Sequence, residues 1–295
     1  MKYLGKFICI GLNPSFDLTL SVDELSDDAV NRATSEYREA AGVATNIARD
    51  LTRLRLPASV VGIAGENNLR EYMGELCREN IPSHFIKVPG NIRENITLLV
   101  GERDVKTIKI NRAGPKCTAS ALAELRGYFN TVASEGDTVI FGGSCPPGST
   151  PEAYASLMEY VSTLGMRVVV DTDVLRADHY FRIKPWLIKP NEHELEKICS
   201  TKFENDDDMI AACKSLVTGG VDVVLLTRGD KGLISVTRNQ VVRVPAKPVK
   251  GRINTVGAGD AALSGYLCAD ADGRNQYECS QFAAAFAASV ISSEE

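Results

Sequence analysis

A doubly wound α/β fold, with a mostly parallel sheet flanked by helices, is predicted by three observations. Short apolar runs alternate with helix-like stretches along the 295 residues. The runs are apolar at consecutive positions rather than alternate ones, which demands burial on both faces, as in a parallel sheet. Polar turn residues follow run after run, at the strand ends where such sheets gather their ligands.

The elements follow in order. Phe7–Leu12 reads as a buried strand stopped by Asn13-Pro14. A helix over 43–55 leads to a strand at Ser59–Ala64, and a helix over 66–80 follows. A helix over 118–133 precedes the strand Thr138–Phe141, and a helix over 151–164 precedes Arg167–Val170. Trp186-Leu187-Ile188 opens into a helix over 191–199. The acidic run Asn205-Asp206-Asp207-Asp208 caps a helix over 206–218. Val221–Leu226 is a further buried strand, and Leu233–Val244 folds as a hairpin around Arg238-Asn239. A helix over 259–271 and an Ala/Phe-rich helix-like segment end the sequence. Residues 15–39 and 84–111 break this rhythm with extended, partly alternating pieces, including Thr19–Val22, Ile96–Val100 and Thr107–Ile110. They are expected to build a small sheet over the strand ends, a lid on a single domain spanning 1–295.

Composition narrows the function. Apolar residues make up 44% and charged residues 24%, an ordinary globular balance. A net charge of −5 argues against nucleic-acid binding, so an anionic substrate would need local positive charge. No apolar run is long enough for a membrane span or a signal peptide. The eight cysteines form no C-x-x-C pair, and several sit in apolar runs as small hydrophobes, which suits a reducing cytoplasm.

Asn254-Thr255-Val256-Gly257-Ala258-Gly259-Asp260 is the most informative stretch. Small residues enter a helix whose first turn has unpaired N–H groups and a partial positive charge, an arrangement that attracts anions. An acid there would repel a phosphate, but it could take a proton from a hydroxyl attacking one. An Asp in a first helical turn also serves as an ordinary dipole partner, and the segment alone leaves both readings open. Polar groups at other strand ends point to the same region: Asn13 and Asp17, Gly142–Gly148, Asp171 and Asp173, Lys189-Pro190-Asn191, and Thr227-Arg228-Gly229. There is no Walker A motif, no early G-x-G-x-x-G and no G-x-S-x-G.

The ordered set of motifs resembles the PfkB-type, ribokinase-superfamily carbohydrate kinases, above all the 1-phosphofructokinase and tagatose-6-phosphate kinase branch. Asn13-Pro14-Ser15-Phe16-Asp17, Ala40-Ala41-Gly42 through Asn46-Ile47-Ala48, Arg93–Thr97, Gly143–Gly148, Lys189–Leu195 and Asn254–Asp260 carry the likeness, nearly end to end. The resemblance implies a ribokinase-like fold, ATP and Mg2+ as cofactors, and a sugar or sugar-phosphate substrate. It makes Asp260 the catalytic base, with the amides of Gly257, Ala258 and Gly259 holding the transferred phosphoryl group. It assigns Asn191 and Glu194 to the magnesium and nucleotide phosphates, Glu194 through water, and Thr227, Gly229 and Gly232 to the nucleotide site. Asp17, Gly42, Asn46 and Arg93 fall on the acceptor side, where Arg93 suits a two-pronged phosphate contact. The extended lid segments could pair with those of a second subunit as a homodimer.

The sequence departs from the branch in one loop. A Gly-Lys-Gly is usual there, and Gly42-Val43-Ala44 stands in its place, so a phosphate-binding lysine is missing. Arg93 remains, and Lys109 and Arg112 are candidates for compensation. The expected reaction is ATP-dependent phosphorylation of a sugar phosphate of the fructose 1-phosphate or tagatose 6-phosphate type. Gly42-Val43-Ala44 also resembles the loop of kinases acting on unphosphorylated sugars or nucleosides. A catalytically idle nucleotide or sugar sensor is the reading outside enzymology, and the intact Gly257–Asp260 argues against it. Family members usually continue past the Ala/Phe-rich segment with a loop and helix that flank the nucleotide base.

Overall fold

All five residues of β1 (Phe7–Gly11) are buried, as its unbroken apolar run requires. In the computed structural model, which describes residues 5–101, 105–132, 134–249 and 257–292, β1 lies between β4 (Ala58–Gly65) and β8 (Thr138–Gly142), parallel to both. Beyond β4 lies β5 (Ser83–Val88). Beyond β8 come β9 (Arg167–Asp171), β10 (Leu187–Ile188) and β11 (Val223–Thr227), all parallel. The hairpin of β12 (Leu233–Val236) and β13 (Val241–Val244) joins β11 antiparallel. The described order is β13-β12-β11-β10-β9-β8-β1-β4-β5. Strand progression reverses between β1 and β8, so their carboxyl ends diverge and leave a crevice.

Helices cover both faces. α1 (Val43–Arg53), α2 (Leu69–Arg78), α8 (Ala258–Ala271) and α9 (Gln276–Ile291) pack one buried cluster, around Phe7, Val60 and Leu225. On the opposite face, α3 (Ala119–Val132), α4 (Pro151–Ser162), α5 (Ala177–Ile183), α6 (Glu192–Cys199) and α7 (Asp206–Thr218) pack the other, around Ile10, Phe141 and Val170. Several starts are capped by side chains, the one at Asn205 as the sequence suggests. Thr150 accepts from the Ala153 amide ahead of α4, and Asn205 from the Asp208 amide ahead of α7.

A second sheet stands apart, with the order β3-β2-β6-β7. It comprises β2 (Ser15–Val22), β3 (Ser35–Ala41), β6 (Arg93–Val100) and β7 (Lys106–Ile110). β2 and β6 are parallel, in a register that sets Ser15 opposite Arg93 and Asp17 opposite Asn95. Three expectations are corrected. The extended piece that begins the 84–111 segment belongs to the main sheet: β5 buries Phe85, Ile86 and Val88 against its edge. α5 has no counterpart in the sequence reading, because seven residues are too few to display a helical repeat, yet it buries Tyr180 and Ile183. α2 begins three residues later than its pattern suggests, because Glu66 just after β4 is still extended and forms an isolated antiparallel bridge with Asn91.

α1 matters most for the site, because its start faces the crevice. Its buried stripe, Ala44, Ile47, Ala48 and Leu51, anchors it to the sheet. Leu51→Ala should lower stability by ~2–5 kcal/mol, read as a reduced urea midpoint.

Candidate active site

The crevice at the carboxyl ends of β1 and β8 opens into a cavity of about 490 Å³. The main sheet contributes Gly142, Asp171 and Lys189 to its wall, and the small sheet contributes Asp17, Arg93 and Asn95. The start of α1 supplies Gly42–Asn46, and Gly257 and Asp260 close it from the first turn of α8. Gly257 precedes that helix with φ of 79°, in the left-handed region that favours glycine. Asn254, Thr255 and Val256 of the motif lie outside the described residues.

Asp260 is bound on one side and charged from several. Asn46 Nδ2 donates to its Oδ2 at 2.8 Å, joining α1 to α8 across the cavity floor. Burial pushes the Asp260 carboxyl up to about 7, and the neighbouring Asp171 adds to the rise. The Asn46 hydrogen bond and the Lys189 charge pull the other way. Lys189 is itself buried, with Nζ 3.0 Å from Asp171 Oδ1. Burial opposes its charge, but Asp171, Glu194 and Asp260 outweigh that and hold the ammonium above its ordinary value. Its Nζ also lies beneath Gly259, where an added Cβ would stand only 3.1 Å away. A fixed positive charge thus sits under a helix start already favourable to anions.

On the acceptor side, Asp17 accepts hydrogen bonds from Ser15 Oγ at 2.9 Å and Asn95 Nδ2 at 3.0 Å. Asn13 donates to the Ala113 carbonyl at 3.1 Å and to Ser144 Oγ at 3.3 Å. Gly114 allows this close approach, since a Cβ there would meet Asn13 Oδ1 at 2.2 Å. Arg93 Nη1 donates to the Arg112 carbonyl at 3.2 Å, but its buried Nε finds no partner, and Arg93 forms no ion pair among the described residues. Burial lowers its pKa, with Asp17 pulling the other way. Asn13 Oδ1 and Asn95 Oδ1 are also buried without partners. Three unsatisfied polar atoms on cavity-lining residues fit a polar ligand, because leaving such atoms unpaired is costly.

The nucleotide-side candidates are grouped differently. Asn191 and Glu194 form a reciprocal capping box at α6, each backbone N–H donating to the other's side chain at 2.9 Å. Glu194 reaches the cavity, and burial raises its carboxyl against the pull of Lys189. Thr227 pairs with Asn191 as an isolated parallel bridge. Gly229 opens a short turn closed by Gly232, whose φ of 91° and close approach to the Val244 carbonyl exclude a side chain. Thr227, Gly229, Gly232, Asn191, Ala258 and Gly259 do not line the cavity that holds Asp260. Lys109 and Arg112, the suggested compensation, are exposed and do not line it either. Val43 packs towards the β8 end: a Cβ on Gly142 would lie 2.9 Å from its Cγ1.

Sequence reasoning placed Lys189 and Asp171 among the polar groups at the strand ends without giving either a role, and it gave Asn95 no role of its own. The available signal was their recurrence at strand ends, but pairing Lys189 with Asp171 needs adjacent β9 and β10.

Residues 5–295 match the profile of the pfkB family carbohydrate kinases. The chain belongs to that family. It is 30% identical over 271 residues to D-tagatose-1-phosphate kinase of Bacillus licheniformis, covering 91% of this chain and 85% of that protein. It is 29% identical over 285 residues to 1-phosphofructokinase of Xanthomonas campestris pv. campestris, covering 95% and 89%. In fold it is similar to phosphofructokinase-2 from Escherichia coli, crystallised with substrates and products, at a TM-score of 0.89 and 23% identity over 98% and 93% of the two chains. Family membership makes the protein a carbohydrate kinase with ATP as phosphate donor.

The environment of Asp260 has a measurable consequence without substrate. Its folded pKa lies above that of an unfolded carboxylate, so folding favours the protonated form. That stability is fully present below the unfolded value of 3.8 and is lost as pH rises through about 7. Asp260→Asn should therefore lose less thermal stability than the wild type across that window. Parallel melting-temperature curves for the two proteins would contradict the buried environment.

Proposed function

We propose that the protein transfers the terminal phosphoryl group of ATP to a hydroxyl of a sugar phosphate, of the fructose 1-phosphate or tagatose 6-phosphate type. Arg93, half-buried with an unpartnered Nε and no ion pair among the described residues, carries this reading. A guanidinium without a carboxylate partner, in a cavity also lined by Asp17, Asn13 and Asn95, suits an anion joined to a polyhydroxylated body. The relatives named 1-phosphofructokinase and D-tagatose-1-phosphate kinase support it.

In this reading Asp17, Asn46 and Asn95 orient the sugar, and Arg93 holds its phosphate. Asp260 accepts the proton of the attacking hydroxyl. Its raised pKa matches a group that must be unprotonated near neutrality yet basic enough to take that proton. The first-turn amides of α8, with Gly257, Ala258 and Gly259, face the charge on the transferring group. Lys189 adds a positive charge beneath them. Asn191, Thr227, Gly229 and Gly232 flank the nucleotide. Glu194 fits Mg2+ through water: it is a half-buried carboxylate, and no cluster of three or more metal-ligating residues exists among the described residues. Mg2+ commonly keeps several waters and relies on one or two carboxylates plus phosphates, and it would neutralise phosphate charge there.

Val43 favours a second reading, a kinase of an unphosphorylated sugar or nucleoside, since no lysine accompanies Arg93 at that point. ADP release with paired acceptors, with and without a phosphate, separates the two. Arg93→Ala should raise KM for the phosphorylated acceptor at least about tenfold while sparing KM for ATP, as loss of a charged hydrogen bond predicts. An unchanged acceptor KM would remove the main support. Asp260→Asn should fold and lose ~10²–10⁴-fold in turnover, and near wild-type rates would sink the base assignment.

A homodimer through the small sheet belongs to the same proposal, supported by exposed Tyr37 on β3 and Ile110 on β7, its two edge strands. Among the described residues no helix is long and apolar enough to cross a membrane. The eight cysteines are all free, which supports a reducing, cytoplasmic setting.

A further inference from the structure

The contact between α1 and α8 holds a second carboxylate that the proposed chemistry does not use. Asp50 lies one helical turn after Asn46 on α1, and Ser264 lies one turn after Asp260 on α8. Residues four apart share a helix face, so Asp50 and Ser264 follow the Asn46–Asp260 hydrogen bond along one seam, with the Ser264 hydroxyl placed to favour the ionised Asp50 carboxyl. Both members of the deeper pair are buried: Asp50 is 5% exposed and Ser264 0%. Ser264 Oγ also lies 2.9 Å from the backbone carbonyl of Asp260, to which it donates. A carboxylate is costly to place so deep, and an apolar side chain would fill the seam without that cost.

We propose that Asp50 is a positioning residue for phosphoryl transfer: through Ser264 it braces the first turn of α8, and its charge acts on Asp260 from behind. The proposal rests on reading Asp260 as the base. Among the described residues, the charged groups that face Asp50 from its own helix and the elements packed on it are few. On α1, Arg53 Nη1 lies 3.8 Å from Asp50 Oδ1, and Arg49 is close enough to act on its charge. Arg49 is largely committed elsewhere, donating to the Ala40 carbonyl at 2.7 Å and to Glu79 Oε1 at 2.9 Å. On β3, Glu39 faces Arg49 at 3.9 Å. β1 offers only Cys9, kept neutral by burial, and neither β4 nor β8 carries a charged residue. From α8 come Asp260 and the Ser264 hydroxyl.

The sign of the effect follows. Burial raises the Asp50 carboxyl to about 6 against Arg53, Arg49 and Ser264, so it is ionised near neutrality. Its negative charge then disfavours a second negative charge on Asp260, which helps keep that group a stronger base. The hydroxyl couples the two states. When Asp50 is ionised, Ser264 can turn its proton to the carboxylate. When Asp50 is protonated, it can donate to Ser264, which then donates to the Asp260 carbonyl.

The test is a carboxyl-carbon NMR titration of aspartate-labelled protein without substrate, with the Asp260 signal assigned by its loss in Asp260→Asn. In Asp50→Asn the Asp260 midpoint should fall by roughly half a unit. With MgATP and fructose 1-phosphate, the acid limb of kcat should move the same way while both KM values stay within about twofold. An unmoved midpoint in folded Asp50→Asn overturns the proposal, as does a shift confined to the acceptor KM. If Asp50→Asn fails to fold, Ser264→Ala replaces it. Asp50, without its donor, is harder to ionise, so the Asp260 midpoint should again fall, and an unmoved one overturns the proposal. The titration needs no turnover, so it is judged separately from the base assignment, which Asp260→Asn kinetics decide.

Discussion

Asp260 is partly buried on a cavity wall at the start of a helix, and the surrounding site is arranged around the cost of charging it there. A carboxylate alone at such depth would simply take a proton and become inert as a base. Asn46 offers the ionised form a hydrogen bond, and Lys189 offers it a positive charge. Asp171 restrains Lys189 in turn, and burial and Asp171 prevent Asp260 from becoming a weak, permanently ionised group. The result is a carboxyl balanced near neutrality, which suits a group that must receive a proton in one step and release it in another.

That balance depends on elements far apart in the sequence. Asn46 comes from α1, Asp171 and Lys189 from the ends of β9 and β10, and Asp260 from α8. The parallel sheet brings them together, because strands buried on both faces must deliver their carboxyl ends to one edge. The reversal of strand order between β1 and β8 opens the space, and the small sheet supplies the opposite wall. The register of β2 with β6 sets Asp17 beside Asn95 on that wall. Charge is therefore divided by side: a lysine deep beneath the proposed phosphoryl position, and an arginine on the small sheet where a phosphorylated acceptor would lie. Val43 packs against the β8 end, so the acceptor side relies on Arg93 for its positive charge.

Much of this was legible in the residues. Unbroken apolar runs gave the parallel strands, because burial on both faces leaves no room for alternation. The small sheet was visible as a loss of helical periodicity, although β5 was drawn into it: a half-buried edge strand of the main sheet has the same alternating pattern as a strand of a two-sided outer sheet. α5 escaped notice because one face of a seven-residue helix repeats too few times. Among site residues, Asp260, Asn46, Asp17 and Arg93 were placed by motif and line one cavity. Thr227 bridges Asn191, and Thr227, Gly229 and Gly232 lie outside that cavity, so their proposed role concerns the nucleotide and not the acceptor.

The sequence by itself determined the fold class and the reaction chemistry. Apolar periodicity dictates layers, and the ordered set of motifs, rather than the small-residue run before Asp260 alone, carries the likeness to a kinase family. It also determined that a lysine was missing at Val43. Only the tertiary structure decided which charges meet. Lys189 with Asp171, Asn46 with Asp260 and Asp50 with Ser264 are pairings across adjacent strands or packed helices. Each is set by distance and burial, and the strength of an electrostatic interaction depends on both and on neither residue's identity alone.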